Sequence, residues 1–178
     1  MKRVLLLFSL MISITVSAQT IQDTFFGQKL GVKTSESSIK KGLEGKVSTN
    51  LSVQTVYPLT VFSTGEISFG GVRWETISFY CFFEDLLLGN VVFSKVTYEI
   101  STLNDAKKTI QDALTKKYGE PEKTADNMLE WFGENGISIS LSVMEQQRIL
   151  GTKEYSLMLG YNNLEVLNKY RNHISDEL

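Results

Sequence analysis

The sequence predicts an α+β fold, an antiparallel sheet with helices packed on one face, laid out as two tandem helix-plus-sheet units. Three observations predict it. Apolar and polar residues alternate with a period of two over much of Asn50–Ile100, and again from Met128 to Tyr161. Between these blocks, Leu103 to Pro121 (LNDAKKTIQDALTKKYGEP) has helical spacing instead. A shorter helical stretch, Thr34 to Leu43, precedes the first block, so the repeat is one of layout, without residue-level similarity between the halves.

The first eighteen residues, MKRVLLLFSLMISITVSA, have a basic start at Lys2 and Arg3, an apolar run and the small residues Ser17 and Ala18. This pattern predicts a signal peptide over residues 1–18, cleaved before Gln19, and one α+β domain over 19–178. The apolar run is too short for a spanning helix, so no membrane span is expected after cleavage. The expected location is periplasmic or secreted.

Ile21 to Leu30 suggests a first short strand. In Thr34 to Leu43, Ser and Thr caps, an early Glu36 and late Lys40 and Lys41 predict a helix whose end Gly42 and Gly45 weaken. Leu51, Val53, Thr55 and Tyr57 then share one strand face until Pro58 interrupts, which favours an edge strand or a strand end. Ile67 and Phe69 lead into Gly70-Gly71, a turn or bulge before Val72 to Trp74. The clearest strand places Ile77, Phe79, Cys81 and Phe83 on one face and Thr76, Ser78, Tyr80 and Phe82 on the other. Glu84-Asp85 reads as a turn, and Leu86 to Ile100 as one long strand or two broken at Gly89-Asn90, with Val92, Val96, Tyr98 and Ile100 on one face.

In the central helix Asn104 is the expected N-cap, Asp105 lies in the first turn and Lys116 and Lys117 in the last, and Gly119 and Pro121 end it. Its apolar stripe is Ala106, Ile110, Ala113, Leu114 and Tyr118. Met128 to Phe132 and Ile137 to Val143 flank Asn135-Gly136, the preferred dipeptide of a tight hairpin. A polar loop over 145–152 precedes a strand through Tyr155, Leu157, Leu159 and Tyr161. A last helix runs to Ile174 with Leu164, Leu167, Tyr170 and Ile174 inward.

The chain from Gln19 holds 16 Lys+Arg against 20 Asp+Glu, without a clustered basic face, which argues against a nucleic-acid partner. Cys81 is the only cysteine and reads as a buried thiol, and His173, the only histidine, as part of a solvated helix end. Glu66, Glu75, Glu84, Asp85, Glu99 and Glu130 lie in or beside strands and are the carboxylates from which a hydrolytic pair would be drawn. Asp126, Asn127, Glu130, Glu134 and Asn135 form the densest oxygen cluster, but their spacing matches no metal loop, and no metal or cofactor is expected. Gly70-Gly71 lacks the repeated glycines and following helix of a phosphate loop.

Several segments together resemble a known group. They are Phe25-Phe26-Gly27 before a short helix, Thr64 to Gly71 read as Thr-Gly-x-x-x-Phe-Gly-Gly, Leu114-x-x-Lys117-Tyr118-Gly119-x-Pro121, and the closing Leu159-Gly160-Tyr161. With the export signal they are similar to uncharacterised exported proteins of Bacteroidota-type bacteria. The layout also resembles tandem helix-plus-sheet folds, namely the β-lactamase-inhibitor-protein-like fold and the small outer-membrane assembly lipoproteins of the SmpA/OmlA type. The resemblance implies an envelope setting and assigns no site residues. The chain has no lipid-bearing cysteine near its cleavage point.

The aromatic residues concentrate in adjacent strands, and Tyr80, Phe82 and Phe93 are the expected exposed aromatic face. The leading expectation is therefore a non-enzymatic exported binding domain with an envelope or extracellular protein as partner. The rival is a carboxylate-dependent hydrolase acting outside the cytoplasm.

Overall fold

The computed structural model describes residues 19–47, 50–125, 127–147 and 151–177; the expected signal peptide and Asp126 lie outside the described residues. The chain opens with a hairpin of β1 (Thr24–Phe25) and β2 (Gln28–Lys29). Its turn residues, Phe26 and Gly27, have φ of 51° and 77°. A two-residue turn with both φ positive matches the twist of paired strands, so Phe26-Gly27 turns the chain inside what had read as one strand. The first helix, α1 (Glu36–Leu43), starts at Ser35, whose hydroxyl accepts the Ser38 N–H at 3.2 Å. It buries Ile39 and Leu43.

Ten further strands follow among the described residues. The first unit supplies β3 (Ser52–Val56), β4 (Leu59–Thr64), β5 (Ile67–Phe69), β6 (Val72–Trp74), β7 (Thr76–Phe82) and β8 (Leu87–Thr97). After α2 (Ile100–Tyr118), the second supplies β9 (Glu122–Ala125), β10 (Met128–Phe132), β11 (Ile137–Gln147) and β12 (Lys153–Asn163), and α3 (Leu164–Glu177) closes the chain. Eight strands form one antiparallel sheet in the order β3-β4-β7-β8-β12-β11-β10-β9. Each unit begins at an outer edge and steps inward, and their last strands, β8 and β12, pair at the centre. The β5–β6 hairpin lies outside this sheet and turns through Gly70-Gly71, both at positive φ.

The core lies between one sheet face and a layer made of α1, α2 and the two hairpins. Phe93 occupies its centre, stacked on Phe69 at 4.3 Å between ring centroids and 5.8 Å from Trp74. The buried Trp74 and Trp131 indoles donate to the Phe69 and Gly119 carbonyls, each at 2.9 Å, so neither buried N–H is left unpaired. No helix among the described residues is long and apolar enough to cross a membrane.

Several elements differ from the sequence reading, each for a local reason. Pro58 is not among them: β3 is an edge strand that ends at Val56, as expected, and Pro58 sits in the two-residue turn to β4. Asn135-Gly136 closes a four-residue loop, with the Gly133 N–H donating to Ile137 O at 2.9 Å. Helix α2 starts five residues early, at Ile100 with Glu99 as N-cap, leaving Asn104 inside the helix. Neither glycine nor proline stands between Thr97 and Leu103 to prevent that extension. Ala113 is exposed, and Leu103 completes the buried stripe with Ile110 and Leu114.

The third helix also departs from the one-face arrangement. Phe82 points to the face opposite that of Cys81, its neighbour in β7, and Tyr170 of α3 packs on it at 4.8 Å. Phe82 and Val166 are both buried, yet neither belongs to the main core cluster. Gly89 makes this contact possible, because any side chain there would collide with the Phe82 ring and lie 3.0 Å from Val166. Thus α1 and α2 cover one face, while α3 covers one end of the other.

Candidate functional site

Most of the rest of that second face is half-buried or exposed, with Ser138 and Glu154 buried within it. Its side chains fall into rows running across the strands. One row reads Phe132, Ser138, Asn162, Asn90, Tyr80, Val61 and Gln54 from β10 to β3. The next reads Glu130, Ser140, Gly160, Val92, Ser78, Ser63 and Ser52. Successive rows on one face stand two residues apart, roughly 7 Å.

The polar side chains of this face bind one another. Asn90 Nδ2 donates to Asn162 Oδ1 at 2.8 Å, and Asn162 Nδ2 reaches Ser138 and Ser140 at 3.3 and 3.4 Å. Ser63 pairs with Ser78 at 2.8 Å, and Thr76 with Ser94. Such cross-strand pairs fix hydroxyl and amide rotamers before any ligand arrives, which lowers the entropy cost of binding. Half-buried Val92, Met158, Val96 and Tyr80 lie among them. The surface is mixed in polarity, as protein-binding surfaces commonly are.

The three residues expected to form an exposed aromatic face do not assemble into one. Tyr80 is on the open face and half-buried. Phe82 shares its face but lies under α3. Phe93 is 0% exposed in the opposite face, because its register partner is the buried Ile77. Sequence reasoning erred over the β8 faces. The expectation joins Phe93 to Tyr80 and Phe82, whereas the register puts Val91 and Phe93 in the core and Val92, Ser94 and Val96 on the open face. Lys95 sits near the strand's end, where its Nζ reaches out to Arg73 O at 3.4 Å, so it does not oppose burial of Phe93. The residues missed by the sequence reading are Asn90 and Asn162, whose roles become visible only once β8 and β12 are paired.

The candidate carboxylates are dispersed. Glu66 is paired with Arg73, Asp85 with Lys33 at 3.0 Å, and Glu75 accepts the Val96 N–H at 3.2 Å. Glu84 and Glu99 are exposed. Glu130 is the exception, since it faces Glu122 across the β9–β10 pair. Among carboxylates with shifted titration, Asp23 is held low chiefly by the Thr24 hydroxyl, and Glu165 by its bond to Lys169. Those shifts favour the ionised form, the opposite of what a general acid needs. No group of three or more metal-ligating side chains occurs among the described residues. Asn135, from the expected oxygen cluster, instead clamps the backbone of Ile21, accepting its N–H at 3.3 Å and donating to its carbonyl at 2.8 Å.

Two concavities lie elsewhere, around the end of α1. One of about 380 Å³ is lined by Lys40, Lys41 and Leu43 among others, and a neighbour of about 490 Å³ by Lys46, Glu66 and Arg73. Lys46 is already engaged, donating to Gly42 O at 2.7 Å and lying over the Phe26 ring. His173 packs against the rings of Tyr57 and Phe83, at 5.9 and 5.7 Å, so it belongs to a packed helix flank.

Cys81 is fully buried, and burial pushes its thiol up to about 12 from 9.0. It is therefore protonated and shielded, the reverse of an activated nucleophile. Above about pH 9 the unfolded chain releases this proton and the folded chain keeps it, so stability falls by about 1.4 kcal/mol per pH unit until the folded thiol titrates. Burial, with Tyr118 nearby, also raises the Tyr161 phenol and adds to the loss at higher pH. Urea midpoints should hold steady from pH 7 to 8.5 and fall from pH 9 to 11, less steeply in Cys81→Ala. An unchanged midpoint at pH 11 would contradict the buried thiol.

Comparisons of the chain with protein-family models, with curated protein sequences and with solved structures find no match.

Proposed function

We propose that this chain is an exported, non-enzymatic binding protein of the bacterial envelope that engages a protein partner across the open face of its sheet. The observation supporting this most is the unequal covering of the two faces. Helices α1 and α2 and two hairpins bury one face, whereas the other, beyond α3, displays ordered hydroxyls and amides around Tyr80, Val92 and Met158. The amino-terminal signal pattern supports a periplasmic or secreted site of action.

Affinity capture from envelope extract tests the reading. The exported protein should retain a specific partner, and Tyr80→Ala and Val92→Lys should each weaken capture at least about tenfold while leaving the melting temperature within a few degrees. Absence of a specific partner, or capture by both variants equal to that of the parent, would count against it.

A second reading, a carboxylate-dependent hydrolase, is favoured only by the Glu122–Glu130 pair. As register partners their Cβ atoms stand about 5 Å apart, close enough for the two carboxyls to be brought to the roughly 5 Å a retaining glycosidase needs. A hydrolytic activity abolished by Glu130→Gln with the fold intact would favour that reading over binding.

A further inference from the structure

We propose that β3 is an interface through which two copies of this chain pair, antiparallel, about a two-fold axis near Gln54. The edges of the sheet are treated differently. At one edge β9 has four residues and includes Glu122 and Lys123, the charged and short form that discourages further strand pairing. At the other, all five residues of β3 are exposed, and among the described residues β3 pairs only with β4. Every other residue of such a strand points its N–H and C=O away from its neighbour, toward an incoming strand.

Side-chain chemistry selects a second copy as the occupant. Residues 50–65, which span β3 and β4, contain no Asp, Glu, Lys or Arg. With 38 charged residues among 178, a stretch of that length would be expected to hold about three. At a two-fold contact each residue approaches its own copy, so any charge near the axis would meet itself. An uncharged strand avoids that repulsion, whereas a peptide from another acidic or basic protein would be better matched by opposite charge. Three of the eight large hydrophobics exposed among the described residues, Val53, Val56 and Tyr57, also cluster here. Pairing centred on Gln54 sets Val53 beside Thr55 of the other copy on the covered face, and Val56 beside Ser52 on the open face.

The consequence is a continuous sixteen-stranded sheet. A two-fold axis perpendicular to the sheet keeps both open faces on one side, so a dimer would present two copies of that surface together. Five residues bury less area than a permanent dimer needs, so association should depend on concentration. The pairing stands independently of what the open face binds.

Sedimentation of the exported protein from about 1 to about 300 μM tests it. The parent should pass from monomer to dimer. Gln54→Lys and Gln54→Glu should each weaken association at least tenfold, with unchanged circular dichroism, by placing like charges at the axis. An equimolar mixture of the two should restore the dimer, because Lys then faces Glu. A parent that stays monomeric throughout, a dimer indifferent to both variants, or a mixture that does not recover would overturn the proposal. Recruitment of an unrelated extended peptide to β3, without self-association, would overturn it as well.

Discussion

Gly42→Ala should destabilise the domain by about 3–4 kcal/mol, lowering the melting temperature by roughly 10 °C. Gly42 lies where α1 crosses the Phe26-Gly27 turn, and an added Cβ would lie well inside contact distance of the Phe26 carbonyl oxygen and 2.9 Å from its carbon. Both atoms are backbone, so no rotamer change can relieve the clash. The helix would have to retreat, and its retreat breaks a buried network. Gln28 Oε1 accepts from Thr34 and Ser38 at 2.5 and 3.0 Å, and Gln28 Nε2 donates to Ser38 O at 3.0 Å. Gly45→Ala is the matched control: a side chain there meets nothing within 4 Å, and only its φ of 70° penalises it, at about 1 kcal/mol. Equal melting temperatures for the two variants would refute the close approach.

Phe93→Ala should be of similar or larger effect, about 3–5 kcal/mol, read as a lower urea midpoint. The ring is fully buried and packs with Phe69, Trp74, Phe25, Phe26 and Tyr161 at centroid distances of 4.3 to 6.5 Å. Its neighbours come from the β1–β2 hairpin, the β5–β6 hairpin and β12, so the void cannot close by moving one element. Tyr80→Ala, on the open face, should cost much less. A reversed order would mean that the two faces of β7 and β8 are exchanged, and with them the proposed binding surface.

The aromatic face shows how the open surface stayed hidden in the sequence. The clean alternation of β7 puts Tyr80 on the face away from Phe79, in the sequence as in the structure. Phe82 follows the same parity, but the helix that covers it arrives from the other end of the chain. In β8 both parities are apolar, and only pairing with Ile77 assigns Phe93 to the core. The Asn90–Asn162 bond links residues 72 positions apart and leaves no local trace.

What the sequence determined by itself was a part of what local chemistry governs. The two strand blocks, the Gly70-Gly71 turn, the Ser-capped α1 and the Gly119 exit of α2 follow from periodicity, capping and glycine freedom within a few residues. The α+β class follows from their order. Tertiary structure alone decided which face of β8 is buried, why position 42 must be glycine, where α3 lies, and which sheet face and edge remain open. Those outcomes depend on register and close approach between distant segments, and a one-residue change of register reverses every side chain of a strand.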